Sequence, residues 1–462
     1  MSKYNFRKYL TPMLFTVLLA VMYGSFAYDL TRIDFVKLIS LYGALFFLSY
    51  QLIKQYGQNF NVLLAMGVLF RLVFLFAIPN LSQDFYRFLW DGHWIAEGIN
   101  PYLFTPQLYL ESPAMQLKFP FENAAALYEG MDALNGSHFT NYPPVNQLLF
   151  ALSALLGGHS VLGNIMVLRI LILLADVGIL YFGKRLLEQL TLPAHTIFWY
   201  FLNPFIIIEL TGNLHFEGVM LFFFVVSLFF LQKNKWLLSA AFLGLSISTK
   251  LIPLMFLPLY FQWFWTKKDS FFVGLKKLLF YYLLVLGTVL LTFLPFLSSA
   301  FFTNYIDTTA LWFQQFEFNA SIYYIVRWIG FQTIGWNIIE TVGKILPFII
   351  IAFILILTFF RKNESLKQLI TAMLFSIFFY FLLSTTIHPW YIATPLLLSV
   401  FTKYRFPIVW TATVMLSYFA YKETTVEENF WLIAIEYLVV IGFAAWEIFF
   451  KRANSQKQMQ GL

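Results

Sequence analysis

Residues 60–102 read FNVLLAMGVLFRLVFLFAIPNLSQDFYRFLWDGHWIAEGINPY. An apolar run ends near Pro79 and gives way to a dense polar island. Residues 60–79 carry one charge, Arg71, and are long enough to cross a bilayer as a helix. Residues 82–102 then hold Asp84, Arg87, Asp91, His93 and Glu97, followed by Asn100-Pro101-Tyr102. The rest of the chain can barely accommodate charge: 60% of residues are hydrophobic, 21% aromatic and only 11% charged. Where nearly everything faces lipid, a polar island at a membrane boundary reads as a working site rather than a solvated face.

The same apolar pattern recurs along the chain. Apolar segments fall at about 10–28, 35–53, 60–79, 163–183, 194–210, 216–231, 236–265, 272–297, 342–360, 366–386, 389–402, 406–420 and 430–450. The runs are continuously apolar rather than alternating, which makes a β-barrel a poor alternative. The expected fold is all-α: a polytopic transmembrane helical protein of 12–14 spans, forming one domain over 1–462. The 236–265 stretch is long enough for two short helices broken near Lys250 and Pro253. Residues 143–157 then have to dip into the membrane without crossing it. The first segment is long and lacks a small-residue cleavage site, so it reads as retained. There are no cysteines, hence no disulfide, thiolate metal site or cysteine nucleophile.

Charge sets the expected topology. With the N-terminus inside, Lys3, Arg7, Lys8, Lys54, Lys184, Arg185, Lys233, Lys235, Lys267, Lys268, Lys276 and Lys277 fall on the inner face. Arg361, Lys362, Lys367, Lys403, Arg405, Lys451, Arg452 and Lys457 join them, giving 20 of the 30 basic residues. Most acidic residues fall on the other side, as the positive-inside rule requires. The net charge of +7 therefore reflects topology and inner-leaflet contact, not nucleic-acid binding. Both termini are expected in the cytoplasm of a bacterial inner membrane, with the polar island outside.

The longest polar interval, 80–142, is the expected extracytoplasmic catalytic loop, and 298–340 is a second outer loop. FYRFLWDGHWIAEG suits an amphipathic helix lying on the membrane. Phe85, Leu89 and Trp90 would face lipid, and Asp84, Arg87 and Asp91 would occupy another face. FENAAALYEGMDALN suits a second short helix. No internal repeat is evident, which counts against a transporter built from duplicated halves.

Candidate chemistry converges on the outer boundary from distant parts of the sequence. The candidates are Asp84, Arg87, Asp91 and His93; Asn213, His215 and Glu217; Lys250; Asn319, Ser321, Tyr323 and Arg327; and His388, Trp390 and Tyr391. A carboxylate among cations suits a general base acting on a hydroxyl, with the cations stabilising a phosphate leaving group. Trp390 and Tyr391 are expected to offer platforms to sugar faces. No Gly-rich nucleotide loop appears. His215 with Glu217 is too small a set for a metal site, and no cofactor is expected. Arg71 and Asp176 lie within apolar spans and are expected to pair with other helices.

SQDFYRFLWDGHWIAEGINPY with the following NYPP (141–144) resembles the first outer loop of the GT-C superfamily of integral-membrane glycosyltransferases. It is most similar to bacterial mannosyltransferases that use polyprenyl-phosphate sugars. LNPFIIIELTGNLHFEG (202–218), STKLIPL (248–254), FNASIYY (318–324) and IHPWY (387–391) resemble further motifs of that group, in the same order. The resemblance implies a metal-independent, inverting hexosyltransferase, with mannose the expected sugar. It further implies a polyprenyl-phosphate-linked donor, an extracytoplasmic glycan or glycolipid acceptor, and Asp84 as general base. Many relatives have two adjacent acidic residues at this point, whereas here Gln83 precedes Asp84. Asp91 is the competing base. A flippase for lipid-linked sugars and a surface-polysaccharide polymerase or ligase are the alternative functions.

Overall fold

The computed structural model describes residues 3–265 and 270–450. Lys267, Lys268, Lys451, Arg452 and Lys457 of the expected inner face lie outside the described residues, as do the side chains of Lys3, Arg7 and Lys8. Every regular element among the described residues is helical. Seven helices are long and apolar enough to cross a membrane, eight if one bent pair is counted as a single span. Five shorter apolar helices accompany them, and a count of 12–14 spans requires the short ones to cross as well.

The N-terminal helices α1 (Lys3–Tyr28) and α2 (Phe35–Tyr56) form a hairpin. Asp34 caps α2 by accepting from the Lys37 amide at 3.2 Å. The third helix, α3 (Phe60–Val73), leads into the long polar interval, which holds α4 (Asp84–Ala96), α5 (Pro106–Glu111), α6 (Pro113–Lys118) and α7 (Ala124–Ser137). Pro106 and Pro113 sit at the first position of their helices behind capping Thr105 and Ser112, where a missing N–H costs nothing.

The next helix, α8 (Pro144–Gly157), is one of the short apolar helices and covers the stretch expected to dip into the membrane. Its start is held by the Val145 amide, which donates to Ser248 O at 3.0 Å. Just beyond its end, His159 O accepts from Asn123 Nδ2 at 2.6 Å. Asn123 belongs to the 80–142 interval, so the end of α8 is tied back to that interval.

The amphipathic helix α4 is present, but it does not lie on lipid. Phe85, Leu89 and Trp90 are buried in protein. Phe88 stacks on Phe150 of α8 with ring centroids 4.6 Å apart, and Trp90 meets Tyr109 and Phe121. Gly92 lets α4 approach α8, because a Cβ there would lie 2.3 Å from the Phe150 carbonyl oxygen. The expectation of a lipid-facing stripe is thus corrected. The short helices and α8 cover the apolar face that the pattern assigned to the membrane.

The long helix α9 (Val161–Gln189) follows, then the turn α10 (Phe198–Phe201). The span after it is broken: a π-helical stretch, Ile206–Gly212, meets α11 (Glu217–Gln232) at 109°. Arg169 of α9 secures the break. Its guanidinium donates to Thr211 O, Gly212 O, Leu75 O and Ala77 O at 2.8–3.0 Å. These are carbonyls that interrupted helices leave unsatisfied. Arg71 and Asp176, expected to pair with other helices, pair with each other, Nε to Oδ2 at 2.8 Å, with both side chains fully buried.

The next break lies where proline and lysine marked it, between α12 (Trp236–Ile247) and the 3-10 stretch Ile252–Tyr260, which runs into α13 (Phe261–Trp265). Then come α14 (Phe271–Phe293), and α15 (Ser299–Gln314) and α16 (Ile322–Thr333) of the expected second outer loop. Ile325, Trp328, Ile329 and Phe331 leave an apolar face of α16 uncovered, as suits a bilayer interface. The chain finishes with α17 (Ile339–Phe360), α18 (Leu366–Leu383), α19 (Ala393–Val400), α20 (Phe406–Thr413) and α21 (Phe430–Ala445).

Candidate active site

The site is built where breaks in the apolar segments bring polar side chains to one level. Asp84 is the first residue of α4. It follows a loop fixed from two directions: Asn213 Oδ1 accepts from the Leu81 amide at 2.9 Å, and Asn80 Nδ2 donates to Phe26 O and Leu30 O. Asn213 is therefore a buried brace. The bend it occupies also presents His215 and Glu217. Lys250 arrives from the α12 break and donates to Glu217 Oε1 at 2.5 Å. The N-terminus of α8 holds that break, with Asn146 Nδ2 donating to Thr249 O at 2.8 Å.

Asp84 is half-buried and makes no ion pair among the described residues. Lost hydration pushes its pKa up to about 6, with Lys250 and Arg32 pulling it down and Glu217 pushing it up. The other carboxylates nearby are occupied. Asp91 is fully buried, accepting from Arg87 Nε at 2.8 Å and Gln147 Nε2 at 3.0 Å. Arg87 also donates to Asn135 O and His138 O, so this pair ties α4 to the end of α7 and to α8.

The 387–391 segment contributes a ladder of rings. His215 stacks on Trp390 at 3.7 Å, Trp390 on His388 at 4.6 Å, and His388 on Phe318 at 5.2 Å. Both faces of Trp390 are covered, which corrects the expectation that it offers a face to a sugar. Tyr391 packs edge-on against both His388 and Trp390. Burial and the nearby Lys250 charge push the His388 pKa down to about 3, so its imidazole is neutral at physiological pH. Phe318 is bonded to the same segment: its amide donates to Thr385 O and its carbonyl accepts from the Ile387 amide.

The remaining candidates lie in supporting networks. Asn319 is buried in a left-handed conformation (φ 49°), with its side chain on Glu436 and its amide donating to Glu428. Ser321 Oγ donates to Leu382 O at 2.8 Å. Tyr323 and Arg327 both engage Glu317, and Arg327 also sits over the Tyr324 ring. His93, at the far end of α4, stacks against His159 and Phe121. Among the described residues no three His, Asp or Glu side chains group as metal ligands.

One cation escaped sequence reasoning. Arg32, in the loop between α1 and α2, donates to Gln83 Oε1 at 2.9 Å and to Leu81 O at 3.3 Å, and lies 4.0 Å over the Tyr421 ring. A lone arginine in a short loop on the expected outer face runs against the charge bias, which was the available signal.

With five sequence motifs spread over this arrangement, similarity to known proteins can be placed. The family model for the alpha-(1->6)-mannopyranosyltransferase N-terminal domain matches residues 12–267, more than half of the chain. The chain belongs to this mannopyranosyltransferase family. It is 20% identical over 339 residues to alpha-(1->6)-mannopyranosyltransferase A of Mycobacterium tuberculosis, covering 70% of this chain and 61% of that protein. The chain thus spans under two thirds of that relative's length. No solved structure matches. The family match takes in Asp84, Asn213, His215, Glu217 and Lys250; the other rings of the ladder, Trp390, His388 and Phe318, lie C-terminal to it.

Proposed function

We propose that the protein is a membrane mannosyltransferase that moves a mannosyl unit from a polyprenyl phosphate to an extracytoplasmic glycan or glycolipid. Family membership supports the sugar. The observation that carries the mechanism is that Asp84 is partly open and free of an ion pair, while Asp91 and Glu217 are buried and paired. A carboxyl with a pKa about 6 is a competent base near neutrality.

In this mechanism Asp84 takes the acceptor hydroxyl proton as that oxygen bonds to the anomeric carbon. The bond from that carbon to the phosphate oxygen breaks, and the phosphate keeps the electron pair. Attack opposite the leaving group inverts the anomeric centre. His388 and His215 supply neutral ring edges, not cations. The basic residues at the opposite helix ends favour a cytoplasmic placement of both termini and an outward-facing site in a bacterial inner membrane.

The test is product analysis with purified protein, polyprenyl-phosphate-mannose and a panel of glycolipid acceptors. A mannosylated acceptor of inverted configuration is the expected result. Movement of the lipid-linked sugar across vesicles without transfer would replace this reading with a flippase.

A further inference from the structure

The cations at the site differ in one respect. Lys250 is paired with Glu217, Arg327 with Glu317 and Arg87 with Asp91. Arg32 has no acidic partner within ion-pair distance among the described residues. Its side-chain acceptor, Gln83, is neutral. The two acidic residues of its own loop are engaged elsewhere, Asp29 with Lys37 at 2.6 Å and Asp34 as the cap of α2. Only Nη1 of its guanidinium makes a hydrogen bond among the described residues, so donors remain available. The guanidinium carbon lies 4.0 Å over the Tyr421 ring, a cation–π contact that helps hold it in place.

We infer that Arg32 is the residue that receives the phosphate of the lipid-linked donor, delivered to the site by the α1–α2 hairpin. This rests on the transferase reading above. The charge flow of the reaction supports it. Before transfer, Asp84 and the donor phosphodiester are negative charges near Arg32, with Glu428 near the Tyr421 ring beneath it. As Asp84 takes a proton, its charge disappears, and the departing phosphate gains one. A fixed guanidinium beside Asp84 is then left facing the newly formed anion, so its attraction grows along the reaction. Lys250, held by buried Glu217, brings no net charge to the same region.

The hairpin is anchored for this task. Asn80, four residues before Asp84, donates to the carbonyls of Phe26 and Leu30 at 2.8 and 2.9 Å, and Arg32 itself donates to Leu81 O. The loop carrying Arg32 and the loop carrying Asp84 therefore share hydrogen bonds at Phe26, at Leu30 and at Arg32 itself.

The experiment measures binding of farnesyl phosphate, a short product-like probe, to the full-length protein and to Arg32→Gln, Arg32→Lys and Gln83→Glu. Removing a charged hydrogen bond should weaken binding by about tenfold to a hundredfold in Arg32→Gln. Arg32→Lys should recover part of the loss. Gln83→Glu keeps Arg32 but gives it a carboxylate, and should weaken the probe by about tenfold at unchanged or higher Tm. A merely structural Arg32 predicts the opposite for Gln83→Glu, a tighter loop and undiminished binding. Undiminished binding in a folded Arg32→Gln or in Gln83→Glu overturns the inference, as does a wild type that does not bind the probe. If Arg32→Gln fails to fold, Gln83→Glu decides. A wild type that binds farnesyl phosphate in an Arg32-dependent way yet transfers no mannose removes the transferase reading and leaves the anion site standing.

Discussion

His215 and Trp390 stack face to face at 3.7 Å with 17° between their planes, although 175 positions separate them in the chain. Because His388 covers the other face, Trp390 is a spacer that sets the distance between two imidazoles. Trp390→Ala should cost about 3–5 kcal/mol of stability by opening a cavity, and thermal unfolding in detergent should show it directly. A sugar platform would behave differently, with Tm preserved and only sugar affinity lost.

Asp84→Asn should lower turnover by about 10²-fold or more while donor binding is largely kept. Stability should move the other way. The folded state holds the Asp84 proton up to about pH 6, whereas the unfolded chain releases it near 3.8. Native structure therefore binds more protons between these values, and stability falls as pH rises through that window. Above pH 6 the asparagine variant should equal or exceed the wild type in Tm, and the gap should close as pH falls below about 4. A folded variant with near-normal transfer would remove Asp84 as the base.

The pH dependence of kcat/KM should show one rising limb at about 6, where Asp84 loses its proton, and then a plateau. His388 titrates at about 3 and should add no second limb between pH 5 and 8. Removal of Arg32, whose charge lowers the Asp84 pKa, should shift the limb upward. A bell centred near neutrality would point to a second titrating group and contradict this account.

Asp91→Asn should act on folding rather than on proton transfer. It leaves the Arg87 guanidinium buried beside a neutral amide, a change worth about 3–5 kcal/mol when one member of a buried pair is removed. Urea or thermal unfolding should register the loss, and the folded fraction should keep the limb near pH 6. A stable but inactive Asp91→Asn would transfer the role of base to Asp91.

Sidedness can be read with introduced cysteines, since the chain has none. Leu117→Cys, 86% exposed on α6, should react with an impermeant thiol reagent in intact spheroplasts. Ser270→Cys, before α14, should react only after permeabilisation. The reverse pattern would put the site in the wrong compartment.

Much of the site was legible because charge is conspicuous in an apolar chain. Asp84, His215, Glu217, Lys250 and His388 stood out at segment boundaries, and the structure gathers them. The surroundings of α4 were not legible. Its periodicity announces an apolar face at Phe85, Leu89 and Trp90, but lipid tails and a protein interior are equally apolar, so the pattern does not distinguish its partner. The orientation of Trp390 was hidden for a related reason, since stacking depends on segments far apart in sequence. Arg32 stood out from Asp29 and Asp34 only by running against the charge bias, and its contacts with Leu81, Gln83 and Tyr421, far off in sequence, were not legible. Glu209, which accepts from Tyr418 at 2.8 Å, and Glu436, which accepts from Trp410 at 2.8 Å, were masked by the apolar runs around them.

The buried pair of Arg71 and Asp176 also bears on how the chain is made. Arg71 leaves the ribosome 105 residues before its partner. Until then α3 carries a lone guanidinium in its last turn, and a charge in an apolar stretch is costly without a partner. Its remaining bonds, to Phe201 O and within its own helix, do not neutralise it. Secure lodging of α3 in the bilayer therefore waits for α9 to emerge. Biogenesis of the N-terminal half is in this sense a single event, and the loop bearing Asp84 lies between the two halves of that latch.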